Sequence, residues 1–448
     1  MGRDWTGRYN GGMKGTVKVF GGQKLVGEVE PIPNKNSILA AIPAAVLSDK
    51  EIVYKNIPKT SDVGKLLEIL KKLGAAVDDS DYSNLRINCK GINSHVVDKE
   101  LGGQFRGSLM FVGPLLSRFG IAEVPLPGGC VLGMRSIEAH VNVFTKVGVK
   151  VERVGDMVRF TAPTEKQRQY SVWQVEASVT ATENFVIYAS GVEAEFELIN
   201  AASEPHVSDL LGLLSEMGAV VAGKGSNRLK IRGVSSFKPA VFVPSPDFVD
   251  IAGYTVGAAI TDGGIVIKGA NLPEIIGGMR NYFEMFGVSV LEQGSDLVVR
   301  RGGELVVDVD KSGFPLAAPD LPKLNPGPWP GFPVDVLPVM LTLALASRGR
   351  ILMHNWMYEA GFAFVRELND LGANIFELDP QRVIVTGPVK LTGGEVVSPA
   401  IIQGCKAIFL ASLMSPVETI IHGVDILQRR YPDIFSTYKK LGADIETI

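Results

Sequence analysis

Apolar positions along the chain form a phrase that recurs from end to end. A strongly apolar stretch, read as a buried helix, leads through a turn into a short strand; an amphipathic helix follows, ends at a glycine and is succeeded by another short apolar strand. The glycine-centred part reads KKLGAAV at Gly74, TKVGVKV at Gly148, SEMGAVV at Gly218, EMFGVSV at Gly287, NDLGANI at Gly372 and KKLGADI at Gly442. The successive spacings are 74, 70, 69, 85 and 70 residues. Glycine suits the residue after a helix because it adopts left-handed backbone angles without a Cβ penalty.

The apolar part that precedes each glycine reads NSILAAIPAAVLSDKEIVY, GSLMFVGPLLSRFGIAEV, TENFVIYASGVEAEFELI, DIAGYTVGAAITDGGIVI, DVLPVMLTLALASRGRILM and CKAIFLASLMSPVETII. Six such units at a period of roughly 70 residues predict duplicated βαβαββ modules. The long interval between Gly287 and Gly372 contains Ser312–Pro333, with seven prolines, and reads as an irregular loop beside a helix start.

The apolar helices are predicted to begin near Lys35, Gly107, Thr182, Asp250, Asp335 and Cys405. Equivalent positions in every module are thus helix N-termini, which present unpaired N–H groups and partial positive charge. Three modules around a shared core could point these ends toward one cleft and form an anion-binding surface. Chemically capable residues stand at or near the starts: Lys35 and Asn36, Arg106, Ser178 with Asn184, Asp247 and Asp250, and Asp335.

A length of 448 residues exceeds what one hydrophobic core usually organises and predicts two domains. Forty-five basic against 48 acidic residues, with no long basic run, argue against nucleic acid as a partner. Neither a signal-peptide pattern nor a membrane-length apolar run is present, so a cytoplasmic protein without a membrane partner is expected. Three scattered cysteines, Cys89, Cys130 and Cys405, are too few for a disulfide framework or a tetrahedral zinc site. His140, His206, His354 and His422 show no metal-ligand spacing.

Of the cysteines, Cys130 has the reactive setting. It lies in VPLPGGCVLGMRSIEAH, with glycines at 128, 129 and 133 and Arg135 five residues on. A thiol on a flexible loop near a guanidinium is placed to ionise and to reach a bound substrate.

The phrases PNKNS (33–37), FRGS (105–108), LPGGCVLGMR (126–135), ASVTATEN (177–184), SEP (203–205) and GFPVD (331–335) together resemble the UDP-N-acetylglucosamine 1-carboxyvinyltransferase family of enolpyruvyl transferases, over essentially residues 15–448. The resemblance implies a two-domain α/β enolpyruvyl transferase fold, an inside-out α/β barrel with six βαβαββ repeats, three per domain. Residues 35–246, carrying the Cys130 loop, would form one domain, and 1–34 with 247–448 the other. It implies small-molecule substrates, phosphoenolpyruvate and a sugar nucleotide, with no cofactor and no metal.

By the same resemblance, Lys35, Arg135 and Arg429 would hold phosphoenolpyruvate, a multiply charged anion that needs several fixed cations. Cys130 matches the fosfomycin-alkylated cysteine that forms a covalent adduct with phosphoenolpyruvate, and Asp335 a candidate general base. Catalytic roles would thus fall to Cys130, Asp335, Lys35 and Arg429. Asn36, Arg106, His140 and the Ser178, Val179 and Thr180 segment would complete the substrate site.

The chain also departs from the pattern. Gln403 stands where the family has a third phosphoenolpyruvate arginine; Lys406, three residues along the same helix, could restore the charge. Ser136, Glu138 and Glu176 replace residues on the nucleotide side, and Gly361 replaces an arginine of an Glu-Asn-Arg-Phe phrase. A carboxylate such as Glu176 near a diphosphate would be repelled. Three readings follow: the same reaction on UDP-N-acetylglucosamine; the same chemistry on another nucleotide such as UMP; or a non-catalytic paralogue.

Overall fold

A computed structural model describes residues 15–126, 136–307, 309–310 and 313–448. All six repeat glycines lie in the left-handed region, with φ of 107° at Gly74, 83° at Gly148, 118° at Gly218, 86° at Gly287, 94° at Gly372 and 104° at Gly442. At Gly74 a Cβ would also sit 2.6 Å from the Gly91 carbonyl oxygen. The residue that ends each amphipathic helix is therefore dictated by backbone geometry.

The six modules give six small sheets with one recurring pattern. In the sheet of the third module, Glu195–Ile199 pairs parallel with Gln169–Trp173 and antiparallel with Arg228–Arg232, which pairs in turn with Val220–Ala222. The second module's sheet is cut to three strands, extended by a parallel bridge between Val96 and Glu123. Outward residues alternate with buried ones, as along Arg228–Arg232, the pattern of a sheet with one wet face.

The apolar helices lie inside these sheets. Lys35–Ala44, Val112–Phe119 and Val179–Ser190 serve one core; Phe248–Ile260, Leu337–Ala346 and Ile402–Ser412 serve the other. Every residue of Phe248–Ile260 is buried, as a helix apolar on all sides requires. One cluster of buried side chains runs from Ile38 to Phe242. The other combines Val17–Val29 with residues from Phe248 to Ile445.

Closure of each half is non-local. Strand Ala240–Phe242 pairs with Ile52–Tyr54 of the first module. The N-terminal strand Thr16–Phe20 lies between Glu418–His422 and Asp444–Thr447 and completes the sixth module. Val26–Val29 pairs with Gly264–Ile267 of the fourth.

Residues 313–333 are more regular than their prolines suggest. Leu316–Ala318 and Leu321–Leu324 form an antiparallel pair, and the latter pairs parallel with the strand Arg348–His354. The segment supplies two of the fifth module's strands; Pro315 and Pro319 flank the edge strand Leu316–Ala318, and Pro322 lies on the inner strand Leu321–Leu324, where the pairing is short.

Chain crossings between the two halves occur side by side. Asn34 N–H donates to the Ser245 carbonyl and Asp247 N–H to the Ile32 carbonyl, both at 2.8 Å. Each crossing ends in an N-cap: Asn34 Oδ1 accepts from the amides of Asn36 and Ser37, and Asp247 Oδ1 from those of Val249 and Asp250. The first inner helix of each half thus starts at a chain crossing. Among the described residues no helix is long and apolar enough to cross a membrane.

Candidate active site

The observed inner-helix starts fall within a few residues of the expected ones, with Arg106–Phe111 and Val334–Val336 entering as 3-10 turns. At the first start, Lys35 is buried and its Nζ lies 2.6 Å from Asp62 Oδ2. Asp62, in the first turn of the helix Ser61–Leu73, also accepts from Arg429 Nε at 3.3 Å and Nη2 at 3.2 Å. Two cations, one from each half of the molecule, therefore converge on one carboxylate.

Burial pushes the Lys35 ammonium below its ordinary range, against the pull of Asp62 and with help from Arg429 and Arg430. Burial pushes the Asp62 carboxyl up, but Lys35 and Arg429 outweigh it and hold Asp62 below its ordinary value. A cation in a water-poor position, held beside a carboxylate, suits binding of an anion. Beside Arg429 opens a cavity of about 530 Å³, lined by Lys59, Ser61, Ala400, Asp425, Ile426, Gln428, Arg429 and Pro432.

Asp335, on the 3-10 turn before Leu337–Ala346, keeps part of its side chain exposed. Its Oδ1 accepts from the Tyr358 hydroxyl at 3.4 Å, and its Oδ2 faces Arg430 Nη1 at 3.6 Å. Arg430, like Asp62, is a site residue that sequence reasoning missed. It is buried, and its Nε and Nη2 each donate to Asp247 at 2.8 Å. Adjacency to Arg429 in a QRRYP phrase was the available signal, but nothing local distinguishes a buried arginine from an exposed one.

Lys406 does not take the expected place. It is fully buried, its Nζ donates to Asp250 Oδ1 at 2.9 Å and lies 3.9 Å from the centre of the Tyr431 ring. Its position on Ile402–Ser412 turns it into the second core instead of toward Lys35 and Arg429. Gln403, one turn earlier on that helix, is also buried, with Oε1 unpaired among the described residues. At Gly361 a Cβ would overlap the Asn355 side chain, so a side chain there requires Asn355 to move.

The remaining candidates cluster on the first half. Arg106 Nη2 donates to the Ser136 carbonyl at 2.8 Å. Ser178 caps Val179–Ser190, its Oγ accepting from Ala181 N–H. His140 is fully buried: Asn184 Nδ2 donates to its Nδ1 and its Nε2 pairs with Thr180 Oγ1, both at 3.1 Å. Because Asn184 Oδ1 already accepts from Gly113 N–H, its amino end faces the ring, and His140 Nε2 is the donor to Thr180. Burial, then Arg106, pushes His140 down to about 3, so it is neutral and anchors Thr180 from inside. Asn36 is half-buried beside Lys35, and Glu176 is exposed just before the Ser178 cap.

Cys130 and Arg135 lie outside the described residues. Burial pushes the thiols of Cys89 and Cys405 up to about 12, leaving both inert. No group of His, Cys, Asp and Glu suited to a metal ion occurs among the described residues.

Inner helices sheathed by sheets, with cations gathered where two halves meet, define an enolpyruvyl transferase fold. The enolpyruvyl transferase NikO from Streptomyces tendae superimposes with a TM-score of 0.83 at 20% identity, covering 97% of this chain and 99% of that one. An EPSP synthase from Acinetobacter baumannii gives 0.71 at 15% identity, covering 97% and 100%. In sequence, the chain is 34% identical to a UDP-N-acetylglucosamine 1-carboxyvinyltransferase from Treponema denticola over 96% of its own length and 98% of the relative's. A protein of the same name from Bradyrhizobium diazoefficiens is 35% identical over 96% and 97%. Residues 19–438 match the family EPSP synthase (3-phosphoshikimate 1-carboxyvinyltransferase). The chain belongs to this family, and it is an enolpyruvyl (1-carboxyvinyl) transferase.

Proposed function

We propose that the chain transfers the enolpyruvyl group of phosphoenolpyruvate to a hydroxyl of UDP-N-acetylglucosamine, releasing phosphate. The observation that carries this reading is the convergence of Lys35 and Arg429 from opposite halves on the Asp62 carboxylate, a ready-made clasp for an anion. The names of the relatives at 34 and 35% identity support the acceptor. The two cores support a division into 35–246 and 1–34 plus 247–448, with the clasp between them.

In this reading Lys35 and Arg429 hold the phosphate, joined by Arg135, and Asp335 accepts the proton of the acceptor hydroxyl as its oxygen adds to C2. C3 gains a proton in the same step, for which Cys130 is the candidate donor. The tetrahedral intermediate then loses a proton from C3 and expels phosphate, which regenerates the vinyl group. Arg106, Asn36 and the Ser178–Thr180 helix start, braced by His140, line the acceptor side.

A second acceptor, a nucleotide such as UMP, is favoured by one observation: Glu176 is exposed immediately before the Ser178 cap, where its charge would oppose a diphosphate. Phosphate release from phosphoenolpyruvate, followed with UDP-N-acetylglucosamine and separately with UMP, and with products identified by mass, decides between them. Turnover with UMP alone would replace the first acceptor by the second; no phosphate release with any hydroxyl acceptor would overturn the donor assignment.

A further inference from the structure

Enolpyruvyl transfer makes a geometric demand beyond a phosphate clasp. C2 of the donor carries the phosphate-ester oxygen and the carboxylate, and it is also the atom that the acceptor hydroxyl attacks. The base that takes the hydroxyl proton must lie one hydrogen bond from the attacking oxygen, on one face of the plane that C2 shares with both groups, so a cation beside that base is within reach of a group on C2, and the carboxylate is the group that the Lys35 and Arg429 clasp leaves over.

Lys35 and Arg429 form one cation set. The carboxylate needs a second, and a cation beside Asp335 is placed to supply it. Lys406 is sealed in the core by Asp250, Gln403 is neutral, and Gly361 has no side chain. Among the described residues Arg430 is the cation that faces Asp335, through Nη1 at 3.6 Å. Its other two nitrogens are fixed by the buried Asp247, which is itself fixed as the cap of Phe248–Ile260. A separation of 3.6 Å is an ion pair and not a hydrogen bond, so Nη1 retains donor capacity in the direction of the base. A guanidinium held along one edge presents its remaining N–H groups in a defined plane, the geometry that recognises a carboxylate.

We propose that Arg430 binds the carboxylate of phosphoenolpyruvate beside Asp335, as the second anion anchor of the site. This rests on the donor assignment above. Proton uptake by Asp335 from the acceptor would weaken its hold on Nη1, leaving the guanidinium's charge to the carboxyl group of the reacting donor.

The test uses the full chain with Arg430→Gln and Arg430→Lys, together with the double variant Asp247→Asn/Arg430→Gln, which removes the buried charge pair as a unit. Steady-state rates are measured with phosphoenolpyruvate and acceptor each varied, with inorganic phosphate as product inhibitor. Loss of one charge-assisted contact predicts a KM for phosphoenolpyruvate raised about 10- to 100-fold in both Gln-containing forms. Arg430→Lys should recover part of this, with the acceptor KM and the phosphate inhibition constant within about twofold of the parent. A KM for phosphoenolpyruvate within about twofold of the parent in the double variant overturns the assignment. So does a rise in the phosphate inhibition constant that parallels the KM, which would put Arg430 at the phosphate. Calorimetric absence of phosphoenolpyruvate binding to the parent chain would instead overturn the donor reading, and the role of Arg430 with it.

Discussion

Asp62 and Arg429, separated by 367 positions in sequence, are joined by hydrogen bonds of 3.3 and 3.2 Å across the boundary between the two cores. Lys35, on Asp62's own side, completes the cluster at 2.6 Å. One carboxylate thus holds in register two cations that lie in different halves of the molecule, the condition for both to meet the same substrate group.

Neutralising that carboxylate should be felt in stability and in its pH dependence. Asp62 is held below its ordinary value, so its contribution is present above the unfolded carboxyl pKa of about 3.9 and is lost as pH falls through the lower folded value. Asp62→Asn leaves Lys35 buried without a counter-charge and is expected to cost about 3–5 kcal/mol near neutral pH. Urea denaturation between pH 3 and 7 checks both: the gap between parent and variant should close toward the acid end.

Replacing the base should separate chemistry from donor binding. Asp335→Asn is expected to lower kcat by about 10²- to 10⁴-fold, without raising the KM for phosphoenolpyruvate, since Arg430 would lose a competing carboxylate. Steady-state kinetics on the purified variant suffice; an unchanged kcat would remove Asp335 from the role of base.

Lys406 belongs to the interior, and its loss should be a stability effect. Lys406→Met strands Asp250, whose other oxygen accepts from the Ile32 N–H at 3.1 Å, and should cost about 3–5 kcal/mol. Adding Asp250→Asn should restore a good part of it, and the KM for phosphoenolpyruvate in the folded double variant should match the parent. Chemical denaturation with kinetics on the same preparations reads both quantities.

Two buried histidines should make the chain acid-sensitive. Burial pushes His140 and His206 each down to about 3, with Arg106 adding to the effect at His140 and Arg430 at His206. The unfolded chain takes up a proton at each below about pH 6.5 while the folded chain does not. Stability should therefore fall as pH drops from 6.5 toward 3, by up to about 1.4 kcal/mol per pH unit for each ring. His140→Gln should remove one ring's share of that slope, measurable by denaturation at several pH values; an unchanged slope would show that the ring is protonated in the fold.

Local features carried much of the architecture. Apolar periodicity and the six glycines report on single helices and the turn that follows each, so repeat length, module order and the left-handed φ at Gly74, Gly148, Gly218, Gly287, Gly372 and Gly442 were legible in the chain. Lys35, Asp247 and Asp335 were legible as candidates for the same reason, because a helix start is a local event.

What the tertiary structure decided is how distant charges pair. Lys406 and Arg430 are both basic residues in apolar surroundings, yet one is matched by Asp250 inside the core and the other stands between Asp247 and Asp335. Asp62 drew no notice because its importance comes from two partners, one in the other half of the molecule. Likewise Thr16–Phe20 completes a sheet whose other strands begin some 400 residues later. Helix and turn preferences act over a few neighbours and are written in composition; the burial of a charge is settled by whichever counter-charge the folded chain brings within about 4 Å, and that depends on modules far apart in sequence.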